Sequence, residues 1–265
     1  MMKQAATAQF HRFGMAAMAL AMLFVLAAGQ AGAIETFARE AIVVDYETGA
    51  VILEKNADEK VGPASMTKLM TVYLLFERLK EGSLSLDDML PVSEKAWRMG
   101  GSKMFVKVGD QVRVEDLLLG IIVQSGNDAT VVAAEALAGT EDAFAKLMNA
   151  KAQQLGMTST HFTNASGWPD PELYSTVRDI ATLSIALIRT FPEYYHYFSV
   201  LEFTYAGIKQ GNRNPLLYRN IGVDGLKTGH TEEVGYGLAF SAVRDGHRLV
   251  GVLHGLPSMQ SRADE

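Results

Sequence analysis

The sequence predicts an α+β fold in which a mostly antiparallel sheet is interrupted by an inserted helical lobe. Strand-like runs stand near the start of the chain and again near its end, and helical periodicity fills the middle. Hydrophobic residues make up 48% of the 265 positions, enough for one substantial core with no sign of a second.

The first 33 residues are set aside. Lys3 and Arg12 precede an apolar run from Phe13 to Ala28, and Ala31-Gly32-Ala33 is a small-x-small cleavage signal, the pattern of a secretory leader. The run is shorter than the ~20 residues of a membrane span. Cleavage after Ala33 leaves residues 34–265 as one domain. Ala41 to Tyr46, the turn Glu47-Thr48-Gly49 and Ala50 to Lys55 read as a β-hairpin. Pro63 and Ser65 then introduce a helix over Met66 to Lys80, where Leu69, Met70, Tyr73, Leu74 and Phe76 recur at near-helical spacing and Gly82 provides the stop. Ser65 therefore sits at or just inside a helix N-terminus. Further helical patterns cover Val114–Val123, Ala129–Ala138, Asp142–Leu155 and Thr176–Arg189, punctuated by Gly126-Asn127, Gly139, Gly156 and Ser166-Gly167. After Glu202 the pattern reverts to strands over Phe203–Tyr205, Gly237–Val243 and His247–His254, the last two joined by Arg244-Asp245-Gly246.

The formal net charge of −6 argues against a nucleic-acid partner, because phosphate binding depends on clustered Lys and Arg. The absence of cysteine excludes disulfides, thiol catalysis and cysteine metal sites. His161, His196, His230, His247 and His254 show no H-E-x-x-H or other close ligand spacing, so neither a metal nor a cofactor is expected. Export without disulfides fits the periplasm or cell envelope of a bacterium. No amphipathic C-terminal segment reads as a membrane anchor in this chain.

Three motifs carry chemistry. Ser65-Met66-Thr67-Lys68, Ser125-Gly126-Asn127 and Lys227-Thr228-Gly229 follow the order S-x-x-K, S-x-N, K-T-G of serine acyl-transferases that react with penicillin. Singly, each has a bland reading as a helix cap, a turn or a solvated lysine; the ordered triple reverses the odds. A serine hydroxyl is a weak nucleophile and needs a neighbour to take its proton. Lys68, one helical turn beyond Ser65, lies on the same helix face, and works as a base only if its site lowers the usual lysine pKa. Lys227 supplies a second cation, Ser125 bridges the two lysines and passes a proton to the leaving group, and Asn127 holds Lys68 or a substrate amide. Gly229, on a sheet edge, lets a substrate backbone approach and pair as an added strand.

Longer blocks surround the motifs: Pro63 to Lys68, Gln124 to Ala129, Leu155-Gly156-Met157 with Thr160-His161-Phe162, Asn212-Arg213-Asn214, and Asp224 to Thr231. With them the chain, from about Ala41 to its end, resembles the D-alanyl-D-alanine carboxypeptidases among the low-molecular-mass penicillin-binding proteins. The resemblance implies a β-lactamase/transpeptidase-like fold, with residues 34–265 as a catalytic domain. It also implies an enzyme that removes the terminal D-alanine from peptidoglycan stem pentapeptides and is inhibited by β-lactams. Carried over, Ser65 is the nucleophile, Lys68 its base and Ser125 the proton relay, with the oxyanion held by the backbone N–H groups of Ser65 and His230. Lys227, Thr228, Thr231 and Arg262 recognise the substrate carboxylate. Two departures stand out: the loop Trp97 to Ser102 is short, and the chain stops where the family continues into a helix that covers the sheet. A truncated chain is expected to expose apolar sheet surface and to be less stable for it. A class A-like β-lactamase shares the motif order, but Asp170 stands in the position of its glutamate, Tyr174 replaces an asparagine and Gly126 an aspartate. A muropeptide or penicillin binder without turnover is a third reading.

Overall fold

The fold is taken from a computed structural model that describes residues 35–265; the leader read in residues 1–33 lies outside the described residues. Strand β1 (Glu40–Asp45) turns into β2 (Val51–Lys55) where Asp45 Oδ1 accepts from the N–H and hydroxyl of Thr48 at 2.7 and 2.6 Å. Gly49 takes φ +74° in the same turn, a conformation open to glycine. The hairpin is the one the sequence predicts. A single 3₁₀ turn (Ala64–Thr67) then leads into helix α1 (Lys68–Lys80), so the predicted helix is present but opens as 3₁₀ with Ser65 in its first turn.

The lobe that follows comprises β3 (Met89–Pro91), α2 (Glu94–Arg98), β4 (Gln111–Arg113), α3 (Val114–Ile122), α4 (Asn127–Ala138), α5 (Glu141–Gln154) and α6 (Val177–Thr190). Thr140 and Thr176 cap α5 and α6 by accepting the N–H of Ala143 and Asp179 at 3.1 and 3.0 Å. These caps fix both boundaries within a residue or two of their expected places. Helix α1 runs through the middle of the lobe, and Lys68 through Phe76 are all buried; a helix apolar on every face belongs inside a core.

The chain returns through β5 (Glu202–Tyr205) and β6 (Ile208–Gly211), then closes the sheet with β7 (Val223–Thr231), β8 (Gly235–Arg244) and β9 (His247–Leu256), and ends in α7 (Met259–Asp264). The main sheet has the order β2-β1-β9-β8-β7 and is antiparallel at every pairing, so the first and last segments of the chain meet at its centre. Asp245 and Gly246, with φ of +50° and +80°, make the two-residue β8–β9 turn. One expectation is corrected. Phe203–Tyr205 does not join this sheet, because Ala206 and Gly207 (φ +48° and +77°) fold it straight back onto β6 as a separate ribbon.

Two packing features set the position of the site. Strand β7 is an edge, and it lies against the 3₁₀ turn: a Cβ added at Gly229 would stand 3.1 Å from Pro63 O and 3.2 Å from Met66 Cγ. Behind that turn, buried His254 of β9 presents Nδ1 to Glu40 Oε2 of β1 at 2.6 Å and Nε2 to Gly62 O at 3.2 Å. The face of the sheet beside α7 carries an apolar groove of about 300 Å³ lined by half-buried Val223, Phe240 and Leu249.

Candidate active site

Ser65 sits in the 3₁₀ turn and Lys68 opens α1, so one turn of helix separates them. Lys68 is fully buried, with Nζ 3.0 Å from Ser65 Oγ and a second contact to the carbonyl of Ser166. That carbonyl is held in place by a tight loop. Asn164 Oδ1 accepts from the N–H groups of Ser166, Gly167 and Trp168 at 3.1, 2.8 and 3.0 Å, and Thr71 Oγ1 donates to Ala165 O at 2.7 Å. Gly167 (φ +80°) is obligatory here, because a Cβ would fall 1.8 Å from Ala64 O.

Burial lowers the Lys68 pKa to about 7, helped by the nearby Arg213 guanidinium and opposed by Asp128. Burial also pushes Lys227 well below the ordinary lysine value, and the positive charges of Lys68, Arg213 and Arg262 add to it. The Lys68 site thus favours the neutral amine through burial and the Arg213 charge, which is the condition the S-x-x-K chemistry requires.

Ser125 lies between α3 and α4 in a left-handed conformation (φ +60°) that aims its hydroxyl inward. The expected bridge to the lysines is not made: Ser125 Oγ is buried without a hydrogen-bond partner. Its turn is locked by Asp128, a fully buried carboxylate that accepts from Met104, Phe105, Val106 and Ala129 N–H at 2.9, 2.9, 3.2 and 2.9 Å. Asn127 makes no hydrogen bond to Lys68; its Nδ2 donates to Gly100 O at 2.9 Å and its N–H to Ser102 O at 2.7 Å, tying down the short loop before Met104. Gly229 lines the cleft on edge strand β7 and also has a packing role. The absence of its side chain serves the packing of β7 on the nucleophile turn, at the distances given above.

A cleft of about 590 Å³ is lined by Ser65, Ser102, Ser125, Arg213, Thr228, Gly229, His230, Tyr236 and Arg262. Lys68 and Lys227 stand behind its wall. Arg262 is only 4% exposed, with its guanidinium 5.6 Å from the Tyr236 ring, and the His230 ring stacks on the same tyrosine at 3.9 Å. Arg213, which the sequence reading quotes without a role, lines the cleft and donates to Ser102 Oγ at 2.6 Å. Thr231 faces away into a neighbouring cavity. The arrangement offers a serine beside a lysine whose proton is easily lost, and a set of cations suited to a substrate anion.

The sequence description of D-alanyl-D-alanine carboxypeptidases, peptidase S11, matches residues 27–257. The chain belongs to this family. Over 235 residues it is 45% identical to D-alanyl-D-alanine carboxypeptidase DacC of Escherichia coli K12, an alignment that takes in 86% of this chain and 59% of the relative. The chain thus spans less than two thirds of the length of the curated family members it matches. Among solved structures, penicillin-binding protein 5 of Haemophilus influenzae superposes with a TM-score of 0.85 at 42% identity, covering 87% of this chain and 69% of that one. Penicillin-binding protein D2 of Listeria monocytogenes, solved in its ampicillin-bound form, gives 0.79 at 33% identity, covering 87% and 94%. These family members share the α+β architecture described above.

Proposed function

We propose that the chain is a serine-type D-alanyl-D-alanine carboxypeptidase acting through an acyl-enzyme on Ser65. The observation that carries this reading is the 3.0 Å contact between Ser65 Oγ and the buried Lys68 amine. Neutral Lys68 takes the serine proton as Oγ attacks the carbonyl of the penultimate D-alanine. The N–H groups of Ser65 and His230 receive the oxyanion, and collapse of the tetrahedral intermediate breaks the C–N bond. Ser125, whose hydroxyl is free, relays a proton: its own passes to the departing amine of D-alanine as it takes the one that Lys68 removed from Ser65, which returns Lys68 to the neutral amine. Water then hydrolyses the ester and restores Ser65. Lys227, Thr228 and Arg262 hold the terminal carboxylate; Asn127 acts through the loop it anchors, and Thr231 at the far end of β7.

β-Lactams are proposed as inhibitors, since the ampicillin-bound relative has the same fold and motif order is retained here. The β-lactamase reading is disfavoured by the loop opposite Lys68. Its contact is a backbone carbonyl, which cannot accept a proton to activate water, and the Asp170 carboxylate instead accepts the N–H of Glu172 at 2.8 Å as a local acidic turn. Residues 1–33 are proposed to export the chain to the periplasm or cell envelope, with residues 34–265 as the catalytic domain acting on stem peptides. No helix among the described residues is long and apolar enough to cross a membrane.

The test is release of D-alanine from diacetyl-Lys-D-Ala-D-Ala by the chain and by Ser65→Ala. Release that depends on Ser65 is expected. A folded protein that forms a penicillin adduct without releasing D-alanine would instead be the binder without turnover.

A further inference from the structure

The 3₁₀ turn that carries Ser65 opens on a strained residue. Ala64 takes φ +47°, in the left-handed region that residues with a side chain rarely adopt, so its surroundings must hold it there. Downstream, Pro63 O accepts the N–H of Met66 at 3.1 Å; upstream, Val61 exchanges both backbone hydrogen bonds with Ser175 at 2.8 and 2.9 Å. Between these anchors a side chain from the sheet takes the carbonyl of Gly62: His254 Nε2, at 3.2 Å.

His254 on β9 stands directly opposite Glu40 on β1, and both are buried. A carbonyl only accepts, so Nε2 carries the hydrogen of the Gly62 contact. The 2.6 Å contact between Nδ1 and Glu40 Oε2 then holds one further proton, since two bare lone pairs repel at that distance. Glu40 therefore sets the orientation of the ring and keeps the hydrogen on Nε2. The imidazole also lies where β8 meets the turn: a Cβ added at Gly237 would stand 3.5 Å from His254 Cδ2 and 3.1 Å from Met66 Cε.

We infer that His254, oriented by Glu40, is a positioning residue for acyl transfer. Its Nε2–H pins the Gly62 carbonyl and so keeps Ala64 in the left-handed conformation that aims the Ser65 N–H and hydroxyl into the cleft. The inference rests on the carboxypeptidase reading, in which Ser65 is the nucleophile and its N–H an oxyanion donor. Lys227 and Thr228, proposed to hold the substrate carboxylate, stand on β7, and Arg262 stands on α7. Loss of the Gly62 contact therefore lowers kcat and leaves KM nearly unchanged.

Two amide side chains separate the two contacts. In His254→Gln the amide nitrogen reaches the place of Nε2 and keeps the donation to Gly62 O; in His254→Asn it reaches only the place of Nδ1 and keeps only the contact with Glu40. The experiment measures kcat and KM for D-alanine release and the rate constant of acylation by benzylpenicillin, in both variants and the unsubstituted chain, with melting temperatures alongside. His254→Asn should lose about tenfold in kcat and in the acylation rate constant, part of the roughly 10²–10³-fold that a missing oxyanion donor costs. His254→Gln should recover most of that loss. Equal losses in the two variants, losses that follow the melting temperatures, or a change confined to KM overturn the inference. So does a bare Nε2 on His254 by nitrogen NMR of the unsubstituted chain, a result that needs neither variant to fold. An unsubstituted chain that neither acylates at Ser65 nor releases D-alanine overturns the carboxypeptidase reading, and the inference with it.

Discussion

At Lys68 two influences act in the same direction: the ammonium form loses its hydration on burial, and the Arg213 guanidinium repels what charge remains. The amine is therefore mostly protonated below about pH 7 and mostly free above it, and acylation of Ser65 should rise with pH through that value. Arg213→Gln removes one of the two influences. Its acylation rate should fall several-fold at pH 6.5, with the deficit shrinking by pH 9; a deficit equal at both pH values would show that Arg213 serves only to bind. Ser125 offers a cleaner separation of stability from function, because its buried hydroxyl has no partner to lose. Ser125→Ala should leave the melting temperature nearly unchanged and slow D-alanine release by about 10²–10⁴-fold, the range of a lost proton-transfer group. A large fall in melting temperature would assign Ser125 to the fold. The motif residues were legible because the chemistry demands those side chains at those spacings. Arg213 was not, since it stands in an irregular segment brought to the cleft only by tertiary folding, and the Ser166 carbonyl carries no side-chain signature at all.

The elements most visible in the sequence were those with a long period and a chemical boundary. Helices α5 and α6 begin at threonines that cap them, and the β8–β9 turn is written in Asp245-Gly246. The β3–β4 ribbon was invisible because three residues a strand are too few to show alternation; β6 was missed for the same shortness, and β5 was grouped with the main sheet because periodicity says nothing about which strand will be the partner. Asp128 shows how an element depends on one residue: its carboxylate fastens α4 to the backbone of residues 104–106. Asp128→Ala leaves the N–H groups of buried Met104 and Val106 unpaired, at about 1–3 kcal/mol each. Urea denaturation should report a loss of several kcal/mol, with Asp128→Asn, which keeps one acceptor oxygen, losing less. Equal losses for the two variants would show that the charge, not the accepting oxygens, secures the turn.

Over the whole molecule, an acidic chain gathers Lys68, Lys227, Arg213 and Arg262 about one cleft, where a sheet edge meets the helical lobe. The fold performs this concentration: the edge strand brings one lysine, the central helix the other, and the segments flanking the sheet bring the two arginines. Antiparallel pairing of the first and last segments of the chain makes the site depend on the fold as a unit, and His254 and Glu40 link the centre of the sheet to Gly62, three residues before the nucleophile. The central claim is that a neutral Lys68 activates Ser65. Its most direct test is the rate of Ser65 acylation by benzylpenicillin between pH 5.5 and 9, with the adduct located by mass spectrometry. The account predicts a rate that rises to a plateau with a midpoint near pH 7 and an adduct absent from Ser65→Ala. A rate that is flat or falls across this range, or an adduct on another residue, would contradict it.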